Sequence, residues 1–172
     1  MFLNYLKSFL LKKTLKKQLN NVKGQSLNGP VTKIGLIVDE SNFLETNALK
    51  QEIIFNGISE DNIKIIVYRD NVKDKEVNTY PTFGFKDLNL KCEFIPNTIN
   101  EFIVDEFDLL INYYNEDKPF LMLLTNRSNA KFKVGFSTVD KRLNHLLINI
   151  AREDYKGFIH ELFRYLKILN KI

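Results

Sequence analysis

The 172-residue sequence has one cysteine, two histidines, seven glycines and four prolines, and each scarcity removes a class of protein. A lone thiol, Cys92, forms no intramolecular disulfide and has no companions at metal-ligand spacing, which points to a reducing compartment. His145 and His160 lie far apart with no cysteine beside them, so no zinc set can be assembled and no metal is expected. So few Gly and Pro leave little room for low-complexity linkers. The apolar runs fall far short of the roughly 18 residues that a membrane span requires. A Gly-x-Ser-x-Gly elbow is missing, and so is a Walker A loop, so neither Ser-His-Asp catalysis nor nucleotide binding is favoured and no cofactor is expected.

What remains is the composition of one globular domain, 44% hydrophobic and 27% charged, with an uneven charge. Residues 1–23 carry Lys7, Lys12, Lys13, Lys16, Lys17 and Lys23 and no acid, a charge of +6; subtracting this from the net +4 leaves −2 for residues 24–172. Good helix formers dominate the segment, and Gly24 stands where a C-terminal cap would. The pattern predicts a basic amphipathic helix over 1–23, a linker over 24–30 and one α/β domain over 31–172. Phe2, Leu3, Leu6, Phe9 and Leu10 fall on one side of that helix, whereas Leu11, Leu15, Leu19 and Val22 follow i+4 spacing on nearly the opposite side. This predicts a kink near residue 10, or two surfaces gripping the two halves. Three uses compete for such a segment. It packs on the body with its lysines in water, lies on an anionic membrane, or contacts nucleic-acid phosphates with a salt slope of at most about −5 on a duplex. No DNA-reading motif accompanies it. Lysines at 12, 13, 16 and 17 interrupt the apolar stretch that a secretory signal needs.

Beyond the linker, short β-branched runs alternate with helical periodicity. Strands are predicted over 33–38, 63–68, 108–114, 131–136 and 146–150. Helices are predicted from an Asn42/Glu45 capping box to Gly57, from Asn97 or Thr98 to Glu106, from Asp117 with Pro119 in its first turn, and over 153–170. The alternation implies an open, mostly parallel five-stranded sheet with helices on both faces, of the Rossmann or flavodoxin kind. Tyr80-Pro-Thr-Phe-Gly-Phe85 reads either as a ligand-stacking lip or as a loop folded over the sheet edge.

Ligands of such sheets bind beyond the carboxyl ends of the strands. The residues there are Asp39, Glu40 and Ser41, then Arg69-Asp70, then Asn115 and Asp117, then Ser137. Asp39 and Glu40, with Asp117 across the crevice, read either as a paired-acid or magnesium site or as groups favouring the N-terminus of the following helix. Cys92, between Lys91 and Glu93, reads as a small core residue or a mildly activated thiol.

Phe107-Asp-Leu-Leu-Ile-Asn-Tyr-Tyr-Asn115, the helix to Asn129 and Ala130-Lys-Phe-Lys-Val-Gly-Phe136 resemble a segment of the N-terminal, acceptor-side half of heptosyltransferase-like GT-B glycosyltransferases. The chain as a whole resembles short uncharacterised bacterial α/β proteins with a basic N-terminal helix and a Tyr-Leu-x-Ile-Leu-Asn-Lys-Ile ending. The transferase likeness implies a Rossmann-like fold and a catalytic acid in a Gly-Asp loop after the first strand. Here that place reads Val38-Asp-Glu-Ser-Asn42, without the glycine, and the second domain that would hold a sugar nucleotide has no counterpart in these residues.

The sequence therefore predicts a non-catalytic interaction module docking through the six lysines onto an acidic protein or ribonucleoprotein, and less readily onto a membrane surface. The expected location is cytoplasmic, or peripheral to the inner face of the membrane. The rival is a small or half-sized glycosyltransferase-like enzyme using the Asp39, Asn115 and Ser137 loops on a polar sugar-type substrate. A dimer paired through helix 153–170 is a third arrangement.

Overall fold

A computed structural model of the chain describes residues 2–22, 29–72 and 78–172, with side chains from residue 5 onward. Lys23, Gly24 and most of the predicted linker lie outside the described residues. The chain forms α1 (Phe2–Gln18), β1 (Ile34–Asp39), α2 (Thr46–Phe55), β2 (Ile63–Tyr68), β3 (Thr82–Phe83), α3 (Asn97–Val104), β4 (Leu109–Tyr113), α4 (Pro119–Arg127), β5 (Phe132–Phe136), β6 (Leu146–Ile148) and α5 (Tyr155–Ile168). All strands are parallel, in the order β3-β2-β1-β4-β5-β6. That is the doubly wound order, whose reversal lies between β1 and β4. β1 and β4 are buried along their whole length, as strands covered on both faces must be. Helix α1 packs on α4, and α2 packs on α5. Among the described residues no helix is long and apolar enough to cross a membrane.

The sheet has six strands rather than the five expected. The extra one, β3, comes from the aromatic segment: Val67 N donates to Pro81 O at 2.9 Å and Arg69 N to Phe83 O at 3.0 Å. Two residues after a proline are too short to show the period-2 alternation by which a strand is read. Phe83 is buried against Tyr68 and Phe94, so the aromatics close the sheet edge.

Helix α1 also departs from expectation. It ends at Gln18 rather than 23, and it is one continuous helix in which the inward stripe does not change sides. Leu11, Leu15 and Leu19 are buried, and the stripe runs backward through Lys7. Lys7 tolerates that place because Nζ donates to Phe85 O at 3.0 Å and lies 4.7 Å from the Phe85 ring centre. Tyr5 and Phe9, on the opposite side, are 76% and 56% exposed.

The Asn42/Glu45 capping box does not form. The chain turns tightly after β1, with Asn42 N and Phe43 N both donating to Asp39 O, and α2 begins only at Thr46. The turn drops Phe43 onto Tyr113, ring centres 4.7 Å apart. The remaining predicted boundaries differ from the observed ones by about two residues, as ends of elements commonly do.

Between the sheet and α4 lies a polar layer. Tyr114 OH meets Thr125 Oγ1 at 2.8 Å, Thr125 Oγ1 donates to Asn112 Oδ1 at 2.9 Å, and Asn112 Nδ2 donates to Asn144 Oδ1 at 2.7 Å. Asn144 fits only because residue 135 is glycine: a Cβ there would stand 2.6 Å from Asn144 Nδ2. Lys133 joins the layer with Nζ donating to Thr125 O at 2.7 Å. Burial disfavours its charge and lowers the amine to about 8.

This buried amine sets a pH signature. Between about 8 and the ordinary 10.5 the unfolded chain holds a proton that the folded chain has released, so Lys133 makes stability rise with pH through that window. Urea titrations across it should show a rise of about 3 kcal/mol in the wild type relative to Lys133→Met. Parallel pH curves for the two proteins would show that the amine is not desolvated.

Candidate functional site

The carboxyl ends of β1 and β2 meet the start of α4 around one ammonium. Lys118 sits at the N-cap of α4, immediately before Pro119, and its Nζ lies 2.8 Å from Asp39 Oδ2 and 2.8 Å from Asp70 Oδ2. It also lies 5.2 Å from the centre of the Tyr68 ring, while Tyr68 OH donates to Asp70 Oδ1 at 2.9 Å. Burial opposes the Lys118 charge, but the bonds to Asp39 and Asp70 outweigh it and hold the amine above its usual range. Asp70 follows the mirror logic. Burial pushes its carboxyl up, and the bonds from Lys118, Tyr68 and Ser41 bring it below its ordinary value. Ser41 ties the loops together, with its N–H on Asp39 Oδ1 at 3.1 Å and its Oγ accepting from Asp70 N at 2.8 Å.

Glu40 points away from Asp39 and takes a cation of its own. Arg69 reaches Glu40 Oε2 through Nε at 3.1 Å and Nη2 at 2.8 Å, and Thr46 Oγ1 donates to Oε1 at 2.5 Å. Neither acid caps α2, whose N-cap is Glu45 without a side-chain bond. The alternation of side chains along an extended segment explains the divergence.

The other crevice candidates form a second group. Asn115 O accepts from Thr138 Oγ1 at 2.8 Å, Asp117 Oδ1 accepts from Asp140 N at 2.9 Å, and Ser137 Oγ donates to Asn149 Oδ1 at 3.1 Å. These bonds join the β4–α4, β5–β6 and β6–α5 connections to one another. Asp117 is thus held by Asp140 N, while Lys118, next to it in the chain, reaches Asp39. Among the described residues no three His, Cys, Asp or Glu gather as metal ligands would. Cys92 is buried, with Sγ accepting from Thr14 Oγ1 at 3.6 Å. His145 stacks on Phe132 and accepts Lys133 N–H on Nδ1, and His160 is exposed on α5.

Within this cluster, Lys118 is the residue that the sequence pattern did not single out. A signal existed: a lysine directly before the first-turn proline puts a cation at the positive end of a helix dipole, an unfavourable place unless carboxylates compensate it.

Of the six lysines, the structure turns Lys7 inward and leaves Lys12, Lys13, Lys16 and Lys17 exposed on α1. Lys23 lies outside the described residues. The four exposed lysines form no ion pair among the described residues. At helical period, Tyr5, Phe9, Lys12, Lys13 and Lys16 share the outward side, with Lys17 at its margin.

The Lys118 cluster makes a stability prediction. Lys118→Met leaves the carboxylate of Asp39, 3% exposed, without its cation, and urea unfolding should register a loss of about 3 kcal/mol. Adding Asp39→Asn should recover part of that loss. A loss below about 1 kcal/mol would place the pair among ordinary surface ion pairs.

No curated protein and no solved structure matches the chain. Residues 7–169, which hold α1 from its first lysine, the whole sheet and the Lys118 cluster, match the family of unknown function DUF6913, and the chain belongs to that family.

Proposed function

We propose that this chain is a non-catalytic interaction module whose Rossmann-like body holds α1 in place and whose α1 presents Lys12, Lys13, Lys16 and Lys17 to an acidic protein or ribonucleoprotein. The observation that carries the reading is four exposed lysines with no acidic partner among the described residues, on a helix whose opposite side is buried. Lys12/Lys16 and Lys13/Lys17 form i,i+4 pairs of like charge, each unfavourable by a few tenths of a kcal/mol. An acidic partner reverses that sign. Because α1 is pinned by Leu11, Leu15 and Leu19, the partner does not have to order it, and less of the contact energy is lost to conformational entropy.

Exposed Tyr5 and Phe9 among the lysines also favour a second surface, an anionic bilayer, where aromatic rings seat at the headgroup level and lysines meet lipid charge. The glycosyltransferase-like alternative draws on fold, and fold does not fix chemistry.

The test uses the full chain and its Lys12→Gln/Lys13→Gln/Lys16→Gln/Lys17→Gln variant, which alters only exposed side chains and should melt within a few degrees of the wild type. Binding of the wild type to polyglutamate and to single-stranded RNA should weaken with salt, the RNA slope reaching at most about −3 for four contacts. The variant should lose most of it. Phosphatidylserine vesicles form the parallel arm, and flotation with vesicles but no binding to either polymer selects the membrane. Equal binding by wild type and variant on all three would sink the role of α1.

A further inference from the structure

The amino-terminal side of the sheet, away from the Lys118 cluster, holds a pocket of about 310 Å³. One wall is the segment that follows α1, Asn20–Val22; the other is Asn126, at the end of α4, and the Ser128–Ala130 connection; Lys133 and His145 also line it. The volume equals that of about ten water molecules, the scale of a small metabolite. None of the described residues that line it is acidic.

Lys133 is the unusual member. It is 6% exposed, and the ion pairs among the described residues do not include it. Its ammonium has three donors, and the bond to Thr125 O engages one of them. Thr125 lies in the last turns of α4, where the helix terminus supplies about half a negative charge. A full positive charge against half a negative one leaves the buried site net positive. Cations are seldom placed so without a counter-charge, because burying an unpaired ion is costly. Asn20, Asn21, Asn126 and Asn129 line the same pocket, and a carboxamide can donate as well as accept.

We propose that this pocket binds a small oxyanion, a carboxylate or phosphate carried by a polar metabolite, with Lys133 as its cation and the surrounding carboxamides as its hydrogen-bond donors. The site is separate from the exposed lysines of α1, since none of those lines it. His145 accepts the Lys133 N–H on Nδ1, so its proton sits on Nε2 in the neutral ring. The bond of Lys133 to Thr125 O alone would need no cavity beside it; the cavity and its amide walls are what a structural lysine leaves unexplained.

The experiment titrates inorganic phosphate and, separately, succinate into the full chain at neutral pH, followed by calorimetry and by the shift in melting temperature. At least one probe should bind and raise the melting temperature, and which one does identifies the oxyanion. Lys133→Met should weaken that binding about tenfold to a hundredfold, the range for losing a hydrogen bond from a charged group. Asn129→Asp keeps the lysine but supplies an internal carboxylate at the rim, and it should weaken binding as well. The variant lacking Lys12, Lys13, Lys16 and Lys17 should bind like the wild type. The proposal is overturned if neither probe binds, if Lys133→Met and Asn129→Asp bind as the wild type does, or if the α1 variant alone loses binding.

Discussion

Leu11, Leu15 and Leu19 lie under α1 at i+4 intervals, and their burial against the body decides the orientation of every described lysine in the segment. Burying three leucines contributes about 5–9 kcal/mol of transfer free energy. The like-charge pairs on the outward side oppose this by about 1 kcal/mol in sum. Packing therefore wins by a wide margin, and the lysines accept the positions that the leucines leave them. Lys7 falls on the leucine stripe and is drawn inward, where burial lowers its amine and the Phe85 carbonyl and ring keep it satisfied.

The carboxyl ends of the strands obey a different constraint. β1 and β2 lie side by side, and each delivers an aspartate to the same region, Asp39 from the end of β1 and Asp70 just beyond β2. Two carboxylates brought together repel unless a cation stands between them, and Lys118 occupies that place from the start of α4. One ammonium thus fastens β1, the β2 exit and α4 at the point where the strand order reverses. Glu40 and Arg69 repeat the arrangement beside it. At the end of a doubly wound sheet where ligands usually sit, these charges pair with one another, and Glu40 and Arg69 also line a pocket of about 180 Å³.

The parallel α/β sheet, the order of its elements other than β3 and the ends of most elements to within about two residues were legible in the sequence because each rests on local chemistry. β2 matches its run of β-branched residues from Ile63 to Tyr68, and Pro119 stands in the first turn of α4, where its missing N–H costs nothing. What was illegible depends on contacts across the chain. β3 exists because Pro81 O and Phe83 O find donors on β2 and on Arg69 just after it, not because Thr82-Phe83 favours a strand. The stripe of α1 could not be traced through Lys7 without knowing that Phe85, 78 residues away, supplies an acceptor. Asp39 and Glu40 were recognised as strand-end acids, but their partners, at 118 and 69, come from separate connections. Lys133 sits in a strand of otherwise apolar residues, and its burial without a carboxylate has no sequence signature.

Across the body, acids and bases are largely matched: Asp105 with Lys33 and Lys64, Asp108 with Lys131, Asp140 with Arg142, Glu161 with Arg164. The excess of positive charge comes from residues 1–23, which carry +6 against −2 for the rest of the sequence. Four exposed lysines stand together on the outer side of α1, and Lys133 adds one buried ammonium with no carboxylate partner among the described residues. These two places are physically joined, because Asn20–Val22 continue from α1 into the wall of the Lys133 pocket and Val22 N donates to Arg142 O at 3.0 Å. An anion seated there and touching Asn20 or Asn21 has more contacts when α1 is docked than when it is not. Linkage makes the relation mutual: whatever free energy the anion adds to the docked helix, the docked helix returns as affinity for the anion.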